Sequence, residues 1–177
     1  MTVDIETRWM SGYNRKKART AFSQPGIRYS QAASLIKSLM QDDKFRDLSL
    51  VERKRVTERI LAEIKGRMME DIVLLETKLS KKNCEVFRLQ FAIDMVVFDP
   101  KEETCEIYEI KHSDKIVLQQ CRHLLDKQKC EDTAFRYGTI IGKYVIYRGA
   151  TTSLVQAGVS TQKDVAYLNV EEYLKKL

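Results

Sequence analysis

Long apolar runs are absent from this sequence. A helix that spans a membrane needs roughly 18 or more consecutive apolar residues, so no membrane span is expected. The opening residues, MTVDIE, lack both the basic segment and the apolar segment of a secretory signal, so none is expected there. Internal repeats and low-complexity tracts are also missing.

Cysteine and histidine are scarce and scattered. The four cysteines form no C-x-x-C pair; they are Cys84, Cys105, Cys121 and Cys130. Neither of the two histidines belongs to a Cys/His cluster. A structural zinc site or a disulfide framework is therefore not expected. We expect reduced, buried thiols in a cytoplasmic protein.

Hydrophobic content and charge indicate a basic, folded domain. The 177 residues are 44% hydrophobic, enough for one domain with its own core. The formal net charge of +6 suits a polyanionic partner such as nucleic acid. A basic cluster over residues 13–19 precedes the turn signal Gln24-Pro25-Gly26. We therefore expect an arm or linker over residues 1–26, either solvated or in contact with phosphates, and a domain over residues 27–177.

The spacing of apolar residues predicts an alternation of helices and strands. Ser49 and Glu52 match a capping box, and the long helix after it is predicted to run to about Leu79. One buried stripe is predicted on it, formed by Val56, Ile60, Ile64, Met68, Ile72, Leu75 and Leu79. The other predicted elements are a helix over 30–40, strands over 85–91, 93–99, 104–111, 139–147 and 165–170, a helix over 116–137 and a terminal helical turn. This order predicts an α/β domain with a mixed central sheet flanked by helices.

The two central strands are predicted to form a hairpin that carries acids where a core hairpin would carry apolar residues. If Asp99 pairs with Thr104, antiparallel register places Asp94 opposite Glu109, with Lys111 one step along the same face. Two carboxylates this close repel each other unless a cation lies between them. The pattern indicates either a cation site or a surface hairpin in which the lysine pairs with one of the acids. Before the hairpin, residues 85–98 form either a strand and a turn or one long bent strand.

A helix with an acid, a hairpin with an acid, the E-x-K sequence Glu109-Ile110-Lys111 and a following helix resemble the PD-(D/E)XK nuclease superfamily. The resemblance implies a restriction-endonuclease-like fold. It also implies that Asp94 and Glu109 bind one or two Mg²⁺ (or Mn²⁺) ions, with the carbonyl of Ile110 as a further ligand. Lys111 is then the lysine that positions or activates the attacking water.

Three further residues have candidate roles. Glu70 takes the place of the extra acid on the preceding helix; from its position alone it is a surface residue that pairs with a base such as Arg67. Gln120, or else Gln119, resembles the glutamine that some branches of the superfamily use on the following helix. His112 directly follows the E-x-K sequence and is a candidate only because histidine titrates near neutral pH.

A narrower resemblance rests on five sequence blocks, residues 66–77, 91–99, 105–113, 122–126 and 142–149. They are similar to the nuclease-like C-terminal domain of a group of bacterial AAA-type ATPases of unknown role. The sequence G-x-x-x-x-G-K-[ST] is missing, so ATP binding is not implied. The chain is then either a fragment of a longer ATPase or a stand-alone copy of its last domain.

Three functions remain as hypotheses. The first is Mg²⁺-dependent hydrolysis of nucleic acid, with DNA favoured over RNA. The second is an inactive nuclease-like module that binds nucleic acid or a partner, such as an ATPase module. The third is a structural domain for assembly of a homo-oligomer. Geometry discriminates among them, because carboxylates more than about 8 Å apart cannot share one ion at the short bonds that Mg²⁺ requires.

Overall fold

The computed structural model describes residues 26–89, 93–115, 118–149 and 164–177. The basic cluster over residues 13–19 and the predicted loop over residues 150–163 lie outside these ranges. Within them the chain forms an α/β fold with a five-stranded, mixed, open sheet and helices on both of its faces. The predicted α/β class with a mixed sheet flanked by helices is therefore confirmed. No helix in the described ranges is long and apolar enough to cross a membrane.

Three helices precede the sheet: α1 Gly26–Gln41, α2 Asp43–Arg46 and α3 Leu50–Ser80. The predicted capping box begins α3, where Glu52 N donates to Ser49 Oγ at 3.3 Å and Ser49 N donates to the Glu52 carboxylate at 2.9 Å. The short α2 lies between the two longer helices. Its cap is Asp42, which accepts a hydrogen bond from Phe45 N at 3.0 Å. Local bonds from side chain to backbone therefore define both helix starts.

The buried face of α3 differs from the predicted apolar stripe. Val56 and Ile72 are each 36% exposed and Leu79 is 59% exposed. The buried residues are Met69, Asp71, Val73 and Thr77. The prediction of one buried stripe is therefore wrong, because the C-terminal half of α3 packs on the sheet while the N-terminal half has no buried residue. Two of the buried residues are polar, so an apolar pattern does not reveal this face.

Five strands follow one another in chain order across the sheet: β1 Glu85–Phe87, β2 Met95–Asp99, β3 Thr104–Lys111, β4 Thr139–Tyr147 and β5 Ala166–Asn169. The first three form an antiparallel meander, and β4 and β5 run parallel to β3. The carboxyl ends of β3, β4 and β5 therefore meet at one end of the sheet, beside the start of β2. Ligands of open α/β sheets bind at the carboxyl ends of the strands.

The chain reverses direction between β1 and β2. Antiparallel pairing sets Val86 opposite Val97, so one long strand over residues 85–98 is wrong. The strand predicted over residues 85–91 ends at Phe87, and residues 90–92 lie outside the description. A reversal therefore precedes Asp94 although residues 88–94 contain no glycine or proline.

The register of the β2–β3 hairpin is the predicted one. Asp99 pairs with Thr104, and the ladder continues to Met95 opposite Tyr108. One residue beyond the ladder, Asp94 N donates a hydrogen bond to Tyr108 O at 3.1 Å. The alternation of side chains therefore sends the Asp94 carboxylate to the same face as the acids and bases at the end of β3.

The predicted helix over residues 116–137 is divided into three short elements. They are a 3-10 helix at Leu118–Cys121, α4 at Arg122–Leu125 and α5 at Lys127–Tyr137. Asp126 has extended backbone angles and caps α5 by accepting a hydrogen bond from Lys129 N at 3.2 Å. The prediction of a single helix is therefore wrong, because this aspartate begins a new helix. The predicted end is confirmed, since Gly138 follows α5 with a φ of 78°.

Two apolar clusters lie on the two faces of the sheet. On one face, Tyr108 and Ile110 pack with Val73 of α3 and with Tyr173 of the terminal helix α6, Val170–Lys176. The alternation of side chains along β3 sends Tyr108 and Ile110 to the face opposite Glu109 and Lys111. On the other face, Ile107 packs beneath α4 and α5.

None of the four cysteines forms a disulfide within the described residues. Cys105 and Cys121 are buried in the cluster beneath α4 and α5, whereas Cys84 and Cys130 are half-buried. Burial raises the pKa of the Cys105 thiol to about 11, so this group is uncharged at neutral pH.

Candidate functional site

Three candidate residues meet at the end of the sheet where β2 begins and β3 ends. Asp94 directly precedes β2, and Glu109 and Lys111 lie at the carboxyl end of β3. Because side chains alternate along a strand, Glu109 and Lys111 share the face of Ile107, which packs beneath α4 and α5. The structure thus brings together the three residues that the hairpin register predicts to be neighbours.

Asp94 continues the strand pairing with its side chain. Its Oδ2 accepts hydrogen bonds from the backbone N of Ile110 and from Lys111 Nζ, both at 2.8 Å. The side chain is 14% exposed, so this carboxylate lies at the rim of the site. The backbone bond orients the carboxylate toward β3 independently of the lysine.

Glu109 is a carboxyl group inside the core. Its side chain is 1% exposed. Oε2 forms an ion pair with Lys111 Nζ, whereas Oε1 has no hydrogen-bond partner within the described chain. Burial, and then the charge of Asp94, raise the pKa of Glu109 to about 8, although Lys111 acts in the opposite direction. A buried oxygen without a hydrogen bond is costly, so Oε1 of this carboxyl is suited to binding a cation.

Lys111 places one ammonium group between the two acids. Nζ lies 2.8 Å from Asp94 Oδ2 and also contacts Glu109 Oε2. Burial acts to lower the pKa of Lys111, but the charges of Asp94 and Glu109 outweigh it and raise the pKa. Lys111 therefore stays charged at neutral pH. Because both oxygens contact one nitrogen at hydrogen-bond distances, they lie less than about 6 Å apart. The alternative of a surface hairpin is thus right in pairing the lysine with the acids, but Glu109 is buried and does not lie on the surface.

The oxygen atoms at this site fit a hard divalent cation. Mg²⁺ and Mn²⁺ favour carboxylate and carbonyl oxygen, which Asp94, Glu109 and the backbone of Ile110 provide. The Ile110 N–H faces Asp94, and the carbonyl of a strand residue points to the same side as its N–H. Among the residues described, no group of three or more acidic, histidine or cysteine side chains could hold a metal. A cation here would therefore rely on two carboxylates, one carbonyl and water.

Glu70 lies on α3, on the opposite face of the sheet from Glu109. Its Oε2 lies 3.5 Å from Arg88 Nη2. Arg67 instead pairs with Glu63 at 2.8 Å, one turn earlier on the exposed side of the helix. Glu70 therefore pairs with a base, as predicted, but this base is Arg88 and not Arg67. Its role as an extra catalytic acid stays a prediction.

The acid next to it, Asp71, is a residue that sequence reasoning misses. Its side chain is 1% exposed and forms ion pairs with Arg28 and with Arg88, the latter at 3.0 Å. The network joins α1 and α3 to the end of β1. Helix carboxylates are mostly exposed, and the two arginines lie 43 and 17 positions away, so no local pattern reveals the network.

Gln120 lies in the 3-10 helix that leads into α4. Its Nε2 donates a hydrogen bond to the backbone carbonyl of Lys115 at 3.0 Å. This bond joins the 3-10 helix to the segment that precedes it. Gln119, the other candidate, is exposed. A catalytic role for either glutamine stays a prediction.

His112 lies beside an arginine whose charge is already neutralised. Its Nε2 lies 3.4 Å from Arg148 Nη1, and the Arg148 guanidinium donates two hydrogen bonds to the carboxylate of Asp114, at 2.5 and 2.6 Å. Burial, and then the charges of Arg148 and Lys65, lower the pKa of His112. The residue is therefore neutral at pH 7.

Comparison with family models, with curated proteins and with solved structures finds no match for this chain. The resemblance to the PD-(D/E)XK superfamily and to the ATPase domains thus stays a prediction drawn from the residues.

Proposed function

We propose that this domain hydrolyses phosphodiester bonds of nucleic acid, with DNA as the favoured substrate, using Mg²⁺ or Mn²⁺ held by Asp94, Glu109 and the Ile110 carbonyl. The observation that carries the proposal is the buried Glu109 carboxyl. Its Oε1 makes no hydrogen bond within the described chain, and its Oε2 shares the Lys111 ammonium with Asp94 at the end of the sheet. Burial of such a group is unfavourable in an ordinary core, whereas a cation would compensate for it.

The order of elements supports the same proposal. A long helix, a meander of three antiparallel strands and further helices are followed by a strand parallel to the third. The E-x-K sequence lies at the end of that third strand. This order resembles the restriction-endonuclease-like fold, and we infer that the domain belongs to that fold group.

Each of the three residues has a task that follows from its surroundings. Asp94 presents a carboxylate that a backbone bond already orients. Burial favours the protonated form of Glu109, so its ionisation at neutral pH requires a positive charge in addition to Lys111. Lys111 stays charged and stabilises the negative charge that develops on phosphate oxygens. A divalent cation bound here would supply Lewis-acid stabilisation and lower the pKa of a bound water.

The wider context is also part of the proposal. The net charge of +6 suits a polyanionic substrate, and four cysteines without a disulfide in the described residues suit a reducing cytoplasm. The five sequence blocks support a relationship to the last domain of AAA-type ATPases. We propose that the chain acts as the C-terminal portion of such an ATPase or as a stand-alone relative.

Cleavage of DNA by the purified protein tests the proposal. Mg²⁺ or Mn²⁺ should support cleavage of linear or branched DNA, and EDTA should abolish it. Asp94→Asn and Lys111→Ala should each lower the rate about 100-fold, because each removes a charge that acts on the reacting phosphate. Asp99→Asn changes an acid at the other end of β2 and is the matched control. Equal nicking by all of these proteins would indicate a contaminant and would end the proposal.

A nuclease-like module that binds nucleic acid or a partner without cleavage is the second candidate. One observation favours it: the Lys111 ammonium already contacts both acids, so a divalent cation must compete with it. This candidate predicts salt-sensitive DNA binding with no cleavage in any divalent metal. It also predicts that Asp94→Asn binds DNA at least as tightly as the wild type, because the substitution removes a negative charge.

A further inference from the structure

A basic cluster surrounds His123 on the face of the sheet that carries Glu109. Lys129 Nζ lies 2.5 Å from His123 Nδ1, and Arg122 Nε lies 3.3 Å from His123 Nε2. Arg122 and His123 belong to α4 and Lys129 belongs to α5. Two helices therefore bring three basic side chains into direct contact.

The hydrogen bonds of this cluster cannot all be made by the three side chains alone. A neutral imidazole has one N–H and one acceptor nitrogen, whereas ammonium and guanidinium groups only donate. In either tautomer, therefore, the imidazole N–H of His123 faces another hydrogen-bond donor, either Arg122 or Lys129. An anion that accepts hydrogen bonds from Arg122, His123 and Lys129 would resolve this conflict.

Acidic residues do little to neutralise the cluster. Lys129 Nζ lies 3.7 Å from Asp126 Oδ2, near the outer limit of an ion pair. Arg122 forms no ion pair with an acid in the part of the chain that the structure describes. The contrast is the arginine beside His112, which Asp114 holds with two hydrogen bonds. The cluster around His123 therefore keeps a positive charge that an anion can use.

The cluster lies close to the candidate active site. The next residue of α4, Leu124, packs in the same core as Ile107 of β3. His123 is near enough to feel the charges at the site: burial and the charges of Lys129, Arg122 and Lys111 lower its pKa, while Asp94 raises it. An anion bound by these helices would therefore lie beside the acids at the end of β3.

We propose that Arg122, His123 and Lys129 bind one phosphate group of the nucleic acid, next to the cluster of Asp94 and Lys111. The identity of the anion rests on the proposed function, whereas the need for an acceptor follows from the cluster itself. A phosphodiester has two free oxygens and one negative charge, which suits three closely spaced donors. The subsite holds the substrate backbone from the side of α4 and α5, while the acids act from the sheet.

The two histidines of the chain allow a test by NMR. A short DNA duplex is added in the presence of EDTA, so that no cleavage occurs, and the pKa of each imidazole is measured. DNA should raise the pKa of His123 by about one pH unit, because a phosphate stabilises the imidazolium. His112 is the internal control and should change much less, because Asp114 already neutralises its arginine. An unchanged His123, or equal changes at both histidines, would overturn the subsite.

Substitution of the arginine gives a second readout, which is DNA affinity. Arg122→Gln should weaken binding about tenfold and reduce the salt dependence by about one phosphate contact. Lys127→Gln is the matched control, because Lys127 is 90% exposed and pairs with Glu131 at 3.7 Å. It removes the same charge from the start of α5 and should weaken binding no more than about twofold. Equal losses of DNA affinity in both variants would show that only the net charge matters, and this result would contradict a subsite.

The outcomes separate this subsite from the proposed function. Cleavage of DNA by a protein whose His123 does not respond would overturn the subsite and leave the nuclease assignment in place. A response of His123 to DNA without cleavage in any divalent metal would support the subsite and overturn the nuclease assignment. A protein that does not bind DNA at all would overturn both.

Discussion

A single carboxyl group, that of Glu109, gives the candidate site its chemical character. It is 1% exposed, and it shares the ammonium of Lys111 with Asp94. A surface acid such as Glu63, which pairs with a neighbouring arginine on α3, remains solvated and contributes little. Burial makes the ionisation of Glu109 depend on its partners. A cation that binds there would stabilise the charged carboxylate, which burial otherwise disfavours.

The pH dependence of stability should report on this carboxyl. The folded-state pKa of about 8 lies above the ordinary value of 4.5. Between these values the folded protein holds a proton that the unfolded chain releases, so the free energy of unfolding falls as the pH rises through that window. Glu109→Gln carries no such proton. In EDTA it should be more stable than the wild type near pH 8, by roughly 1–3 kcal/mol, and similar to it near pH 5.

Urea unfolding of both proteins at the two pH values measures this difference. A wild type that is more stable than Glu109→Gln near pH 8 would show that the carboxylate is favourably bound within the protein. Such a result would remove the electrostatic reason for a cation at this position.

At the scale of elements, a close contact between two turns sets β4 beside β3. Thr139 N donates a hydrogen bond to Glu103 O at 2.9 Å, which joins the start of β4 to the β2–β3 turn. Gly138 makes this approach possible, because a Cβ at its position would lie 1.8 Å from Glu103 O. The two strands whose carboxyl ends border the site are therefore aligned at their other ends by this contact.

Two glycine-to-alanine substitutions should have opposite effects on stability. Gly138→Ala should destabilise the protein by at least about 2 kcal/mol, because φ is 78° and the Cβ would overlap backbone. Gly66→Ala is the matched control within α3, where a Cβ would lie 3.8 Å from the Cβ of His112, an ordinary contact. It should stabilise by about 0.5–1 kcal/mol, since alanine favours the helix. Thermal unfolding distinguishes these results, and a neutral Gly138→Ala would refute the role given to the turn contact.

Local rules predict some elements well and fail for others. The capping box at Ser49 and the register of the hairpin follow from contacts between neighbouring residues, and both are confirmed. The reversal before Asp94 has no strong local signal, and the only local sign of the division at Asp126 is one capping residue within a longer helical pattern. The buried face of α3 also escapes prediction, because the sheet and not the helix pattern decides which side is covered.

At the scale of the whole molecule, the site depends on contacts between distant parts of the chain. The hairpin predicts that Glu109 lies near Asp94, but its burial depends on α4 and α5, which follow later in the sequence. The basic cluster at His123 likewise requires the angle between these two helices, which a single continuous helix would not produce. Residue types and spacing therefore identify the candidate acids. Tertiary packing determines the burial that shifts the pKa of Glu109 and places the basic cluster on the same face of the sheet.

Binding of Mn²⁺ followed by calorimetry tests the central claim most directly, which is that the acids at the end of β3 hold a divalent cation. The wild type should bind Mn²⁺, and Asp94→Asn and Glu109→Gln should each weaken binding at least about tenfold, because each removes a charged oxygen ligand. Asp99→Asn, at the other end of β2, should bind as the wild type does. Equal affinities in the wild type, Asp94→Asn and Glu109→Gln would contradict the claim.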